Sequence, residues 1–258
     1  MTNYQRFVAL HNQEDPLLLG NVWDVSRAKS LVAAGYSSLG ASSAAMAHLL
    51  GYEGGEEMRF EELLLLVKRI KQNVIIPLSM DVEAGYAKDI SKVVGNVLRL
   101  EDLTIAGINI EDSIVTYHLR GLIDKGHLSS IIAAIRLGLE SKEKELFINA
   151  RIDTYLLGVP NKLQETLSRV QFYEQAGASG IFIPLLKSSA DITQIVKSTR
   201  LPTSLMDVPG LPFFDQLQKL DVKTISTGNF LHQKLNTELT RSSTFFLRCK
   251  EFETLLQW

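Results

Sequence analysis

Ala176-Gly177-Ala178-Ser179-Gly180-Ile181-Phe182-Ile183 is the stretch that decides the fold. Lys162 to Ala176 reads as an amphipathic helix, Gly177 as its left-handed stop, and Gly180 to Ile183 as a short apolar strand. The same phrase returns at Ala33-Ala34-Gly35-Tyr36-Ser37-Ser38-Leu39 and at Ile105-Ala106-Gly107-Ile108-Asn109-Ile110. A helix end, a glycine and a strand start, repeated along a chain, are the product of successive βα units. The remaining apolar runs are Leu17–Leu19, Val74–Met80, Leu146–Ala150, Thr203–Met206 and Val222–Ile225, which with Ser38–Gly40, Gly107–Ile110 and Gly180–Ile183 make eight. Near-continuous apolar strands separated by helices, such as Arg59–Lys71 with Phe60, Leu63, Leu64, Val67 and Ile70 in register, indicate a parallel sheet covered on both faces. An open doubly wound sheet and a closed barrel both satisfy that pattern. Eight strands in 258 residues favour the α/β class of (β/α)₈ TIM-type barrel, as one domain spanning residues 1–258. Thr240–Trp258 reads as additional C-terminal helix beyond the eighth unit.

Composition narrows the function. A net charge of −2 gives no footprint for nucleic acid, and no apolar run approaches the length of a membrane span. Met1–Gln5 lacks the basic start and apolar block of a secretory signal, and the one cysteine, Cys249, excludes an internal disulfide. These features point to a cytoplasmic protein, with Cys249 packed among Phe245, Phe246 and Phe252.

In such a barrel the chemistry sits where strands end. The third strand runs into Asp81-Val82-Glu83, the fourth ends in Glu111-Asp112-Ser113, the fifth in Arg151-Ile152-Asp153, and the second in Ser42-Ser43. Oxygen donors of this kind suit Mg²⁺, with Mn²⁺ an equal fit, and an arginine opposite them can clamp a substrate carboxylate through two parallel hydrogen bonds. Structural roles compete at each position. Asp89, Asp112, Ser42 and Ser43 can instead serve as helix caps, and Arg151 can instead be no more than the buried partner of Glu111. His48, His118, His127 and His232 show no spacing of a metal site or triad and read as surface or packing residues.

The ordered set of these motifs resembles the isocitrate lyase/phosphoenolpyruvate mutase superfamily. Asn21-Val22-Trp23-Asp24, Ala41-Ser42-Ser43-Ala44-Ala45, Met80–Tyr86, Gly107–Ser113, Ile148–Asp153 and Met206–Pro212 all take part, over roughly residues 5–230. The tone is closest to the carboxyphosphonoenolpyruvate phosphonomutase-like members. The resemblance implies Mg²⁺ at Asp81, with Glu83 and Glu111 bound directly or through water. It implies a substrate pocket of Trp23, Ser42, Ser43, Ala44 and Asp81, and Arg151 as the cationic clamp. It further implies homodimers or homotetramers, often with the last helix exchanged between subunits. The expected reaction is Mg²⁺-dependent cleavage of a C–C bond in a small 2-oxo or 2-hydroxy dicarboxylic acid through an enolate. P–C chemistry (phosphonomutase or phosphonopyruvate hydrolase) and a catalytically inactive ligand-binding barrel are the alternatives.

Two departures stand out. Ile114–Arg120 replaces the cysteine-bearing loop of isocitrate lyases and lacks the lysine and Asn-Ser pair of the mutases. Gly51-Tyr52-Glu53-Gly54-Gly55-Glu56 places Gly54 where relatives carry a lid aspartate, so Glu53 or Glu56 is the candidate for that catalytic step.

Overall fold

The apolar runs separate into ten strands in the computed structural model, which describes residues 1–54 and 57–250. They are β1 (Leu17–Val22), β2 (Leu39–Ala41), β3 (Leu78–Asp81), β4 (Gly107–Glu111), β5 (Ser113–Thr116), β6 (Leu119–Leu122), β7 (Phe147–Arg151), β8 (Gly180–Ile183), β9 (Thr203–Met206) and β10 (Thr224–Ser226). All but β5 and β6 form one closed parallel barrel in the order β1-β2-β3-β4-β7-β8-β9-β10. It shuts where Leu17, Leu18 and Leu19 pair with Thr224, Ile225 and Ser226. The expected α/β barrel is therefore present. Its third strand is shorter than the apolar run suggests, because Val74–Pro77 precedes β3 without joining it.

Strand alternation sorts the side chains. Ile148 and Ala150 belong to the core shared with the helices, whereas Asn149 and Arg151 face the cavity inside the barrel. The surrounding helices are α1 (Asn3–His11), α2 (Val25–Ala33), α3 (Ser43–Leu49), α4 (Phe60–Lys71), α5 (Ile90–Glu101), α6 (Lys125–Glu140), α7 (Lys162–Gln175), α8 (Ser189–Lys197), α9 (Phe214–Lys219) and α10 (Phe230–Cys249). On α4, Leu63, Val67 and Ile70 recur at helical spacing and are fully buried. Gly177 stops α7 region in the left-handed conformation (φ 94°), as its position in the repeated phrase requires.

The strand starts are plugged by α1. Its Thr2–Gln5 capping box fixes the first turn, and Phe7 drops against Leu17, Ala106 and Phe147. Gly107 makes room here: a Cβ would lie 2.8 Å from the Phe147 carbonyl oxygen. His11 stacks on Phe147 with ring centroids 4.5 Å apart, and one of its ring nitrogens lies 2.8 Å from the Phe7 carbonyl oxygen.

At the other end of the chain, α10 buries only His232, while Leu239, Phe245 and Leu247 are exposed. Cys249 is exposed too, so the burial expected for it is absent; Phe252, one of the aromatic residues expected around it, lies outside the described residues. On the barrel, the exposed Leu18 and Phe213 border an apolar groove that Phe214 and Leu217 of α9 also line. No helix among these residues is long and apolar enough to cross a membrane.

Burial lowers the pKa of His11 to about 4, so it is neutral in the folded protein, while the unfolded chain protonates near the ordinary value of 6.5. Stability from the neutral ring is complete above pH 6.5 and is lost as pH falls towards 4, a change of the order of 3 kcal/mol. Across that window the urea midpoint of the wild type should fall relative to that of His11→Gln, the rim acids acting alike in both proteins; a difference between the two that stays constant with pH would remove His11 from the account.

Candidate active site at the carboxyl ends of the strands

Three neighbouring strands deliver opposite charges to one rim. Asp81 ends β3, Glu111 ends β4 and Arg151 ends β7, and the register pairs Glu111 directly with Arg151. Arg151 Nη1 lies 2.9 Å from Glu111 Oε2 and 3.4 Å from Asp81 Oδ2, while its Nε donates to Asp153 Oδ1 at 2.8 Å. Beyond Asp81 the backbone turns sharply: Glu83 and Tyr86 take positive φ (49° and 58°) on either side of Gly85. Glu83 donates its backbone N–H to Asp81 Oδ1 at 3.3 Å, and non-glycine residues held in this region are expected where a site dictates the backbone.

The sequence offered Ile114–Arg120 as a loop; it is the β5–β6 hairpin. Its two-residue turn, Tyr117-His118, has positive φ at both positions (50° and 63°), the pattern that matches strand twist in a tight hairpin. Tyr117 is 92% exposed at the tip. The hairpin returns Arg120 to the site, where its Nη1 pairs with Glu111 Oε1 and reaches Ser113 Oγ at 2.8 Å and Asp153 Oδ2 at 3.5 Å. Ser113 Oγ donates to Asp153 Oδ2 at 2.5 Å.

Burial dominates the electrostatics. It raises Glu111 to about 7, against the lowering effect of Arg151 and with help from Asp153 and Asp81. Asp81 is likewise raised by burial, with Arg151 opposing. Burial alone would lower Arg151, but Glu111, Asp153 and Asp81 outweigh it and raise the pKa, so the guanidinium is permanently charged.

Asp112 is not the helix cap that its position allowed. It is fully buried and accepts from Arg169 Nη1 at 2.9 Å, Tyr173 hydroxyl at 3.0 Å and the backbone N–H of Asp153 at 2.8 Å. Helix α7 thereby braces Asp153, which braces Arg151. Asp89, by contrast, caps α5 through Ser91 and Lys92.

A cavity of about 190 Å³ opens at this rim, and Ser42, Ala44, Asp81 and Arg151 line it. Glu83 and Glu111 are buried behind it, 5% and 2% exposed. Ser43 is buried in the first turn of α3, and the hydroxyl of Ser42 caps that helix by accepting from Ala45 N–H at 3.3 Å. Trp23 does not line the cavity; it packs edge-on against His232, ring centroids 4.8 Å apart, with Arg27 over its face. Glu53 is exposed and not on the cavity wall, and Glu56 lies outside the described residues.

Asn21, Asn109, Asn149, Ser204, Thr224, Ser226 and Asn229 also line the cavity and were not singled out from sequence. Parity would have found two of them: Asn109 lies two residues before Glu111 and Asn149 two before Arg151, so each shares its partner's face of the strand.

No three His, Cys, Asp or Glu side chains converge as a ready metal cage among the described residues. Asp81 is nevertheless a cavity-lining carboxylate amid oxygen donors, in a cluster where burial raises two acids despite two arginines. That donor set fits a hard cation that takes one or two carboxylates and keeps its waters, as Mg²⁺ does.

The model of the phosphoenolpyruvate phosphomutase family matches residues 7–247. The chain belongs to this family. It is an enzyme of that family. An uncharacterized protein of Mycobacterium tuberculosis (strain H37Rv) is 32% identical over 224 residues, 86% of this chain and 81% of its own length. Oxaloacetate decarboxylase of Pseudomonas fluorescens (strain Pf-5) is 30% identical over 66% of this chain and 57% of its own. Among solved structures, a "putative phosphonomutase" from Burkholderia cenocepacia J2315 superposes with a TM-score of 0.87 at 29% identity, covering 93% of this chain and 98% of that one. Phosphonopyruvate hydrolase, crystallised with oxalate and Mg²⁺, shares the fold at a TM-score of 0.83 and 22% identity, over 96% and 88% of the two chains.

In this phosphomutase-family barrel the Asp112–Arg169 pair is the buried brace of the rim. Arg169→Ala, which strands Asp112, should cost about 3–5 kcal/mol in urea unfolding, and Asp112→Asn/Arg169→Met together should cost less than Arg169→Ala alone. A loss below 1 kcal/mol for Arg169→Ala would mean the brace carries no load.

Proposed function

We propose that the protein is a Mg²⁺-dependent lyase or hydrolase that cleaves a C–C bond in a small 2-oxo or 2-hydroxy dicarboxylic acid through an enolate. The observation that carries this reading is Arg151, a partly buried guanidinium fixed by Glu111 and Asp153 on the wall that also presents Asp81. Arg151 binds the substrate carboxylate next to the reacting bond, and Ser42 and Ala44, on the wall of the same cavity, orient it. Mg²⁺, held at Asp81 with Glu83 and Glu111 behind it, would supply Lewis-acid stabilisation of the developing enolate charge. Asp153 and Arg120 keep Arg151 and Glu111 in place before substrate arrives, so little reorganisation is left to the reaction itself. One glutamate of the segment after α3, Glu53 or Glu56, would handle the proton once that segment shuts over the site.

The 29% identity to the Burkholderia protein favours a second reading, P–C bond chemistry on a phosphonate. Phosphorus NMR of a phosphonopyruvate incubation separates the two, since only the second moves phosphorus.

The same reading includes a homodimer or homotetramer in which the exposed apolar residues of α10 cover a neighbouring barrel, and a cytoplasmic setting. Light scattering of Leu239→Glu/Leu247→Glu should show a smaller particle than the wild type; an unchanged mass would place the contact elsewhere.

Oxalate mimics the planar enolate of pyruvate, so with Mg²⁺ it should raise the melting temperature through mass action. The shift should vanish in Asp81→Ala and in Arg151→Ala, and pyruvate should be released from one or more acids of a dicarboxylate panel. An oxalate shift that survives both substitutions would dislodge this site.

A further inference from the structure

Two residues below the charged rim, the barrel interior changes character. Asn109, Asn149, Ser204 and Thr224 sit two positions before Glu111, Arg151, Met206 and Ser226, about 7 Å deeper along their strands. All four line the cavity, and none is charged. A (β/α)₈ barrel is ordinarily packed at its centre by Val, Ile and Leu. Here Asn149, Ser204 and Thr224 are 7%, 4% and 2% exposed, and all three belong to the cavity wall.

Their hydrogen bonds are incomplete. Asn149 Nδ2 donates to Asn109 Oδ1 at 2.9 Å, yet Asn149 Oδ1 and Thr224 Oγ1 are buried with no partner among the described residues. Buried oxygens left this way are costly, and their recurrence on one cavity wall marks a place for a missing group. That group must donate a hydrogen bond to an amide oxygen and exchange one with a hydroxyl. A methyl group can do neither. A carboxylate cannot donate, and it would bring charge to a level with no cation. A hydroxyl does both.

We propose that this layer is a hydroxyl-binding subsite, and that the substrate is a dicarboxylic acid bearing a further hydroxyl on its carbon chain. The inference rests on the proposed reading of the cavity as a carboxylic-acid site. Arg151 and Asp81 handle the reacting end, while Asn149, Thr224 and Ser204 select the substituent that reaches into the barrel. A site built to bond a hydroxyl rejects the analogue that lacks it, because its own polar atoms are then left unpaired.

The test is calorimetric titration, in Mg²⁺, of malate, the tartrate stereoisomers (malate with a hydroxyl at C3) and 3-methylmalate, which puts a methyl in the same place. One tartrate isomer should bind the wild type about tenfold or more tighter than 3-methylmalate. Thr224→Val, nearly isosteric, should bring that ratio towards one, and Ser204→Ala should move it the same way. The melting temperature of ligand-free Thr224→Val should not fall, since its hydroxyl has no partner to lose. A ratio near one in the wild type, or a ratio that Thr224→Val leaves untouched, would mean that the layer holds only water. A drop in melting temperature with an untouched ratio would assign the Thr224 hydroxyl a structural role and overturn the subsite. If malate, tartrate and 3-methylmalate all fail to bind while oxalate still does, the dicarboxylate reading falls and this inference falls with it.

Discussion

A partly buried guanidinium surrounded by carboxylates sets the terms for the rest of this molecule. Taking Arg151 out of water is expensive unless its charge is met at close range, and Glu111, Asp153 and Asp81 meet it from three directions. Those acids must then arrive at one height, which requires β3, β4 and β7 to pair in a fixed register. Asp153 in turn takes its position from Asp112, whose charge is met by Arg169 and Tyr173 on α7. The chain of dependence therefore runs from a helix on the outside of the barrel to the cavity wall. Loosening any link leaves a buried charge unmet.

The polar interior has a cost that the exterior must offset. Layers of Asn, Ser and Thr contribute little to packing, so stability comes from the shell between strands and helices, where Leu63, Val67, Ile108, Ile148 and Ile181 are fully buried. The amino-terminal helix adds a second, smaller cluster by sealing the strand starts with Phe7 and Phe147. The barrel is thus closed by apolar packing at one end and left polar and hollow at the other. That asymmetry is what allows ligand binding at the carboxyl ends without threatening the fold.

The β5–β6 hairpin shows how a local departure from relatives can still serve the rim. Its tip is exposed, but its return strand carries Arg120 onto Glu111 and Asp153. A second fixed cation beside the carboxylates lowers their mutual repulsion, and it comes from the segment that stands where the mutases carry their loop lysine.

Most of the architecture was legible in the linear chain. The repeated helix–glycine–strand phrase announces βα units because each unit meets the same local demands, a helix stop and a buried strand. Asp81, Glu111 and Arg151 were visible because a polar residue directly after an apolar strand stands at the carboxyl rim. Other features had no local signal. Trp23 sits in a motif yet packs behind the cavity against His232, a residue more than two hundred positions away. Asp112 looks like its neighbour Glu111, but strand alternation turns it outward to Arg169. Asn149 and Thr224 read as ordinary strand residues until the barrel closes and faces them into one cavity. Local chemistry, acting between near neighbours, was determined by sequence alone: which segments become helix, strand or turn. Which polar groups meet, and which are left without a partner, was decided only by closure of the barrel, because those distances depend on strands far apart in the chain.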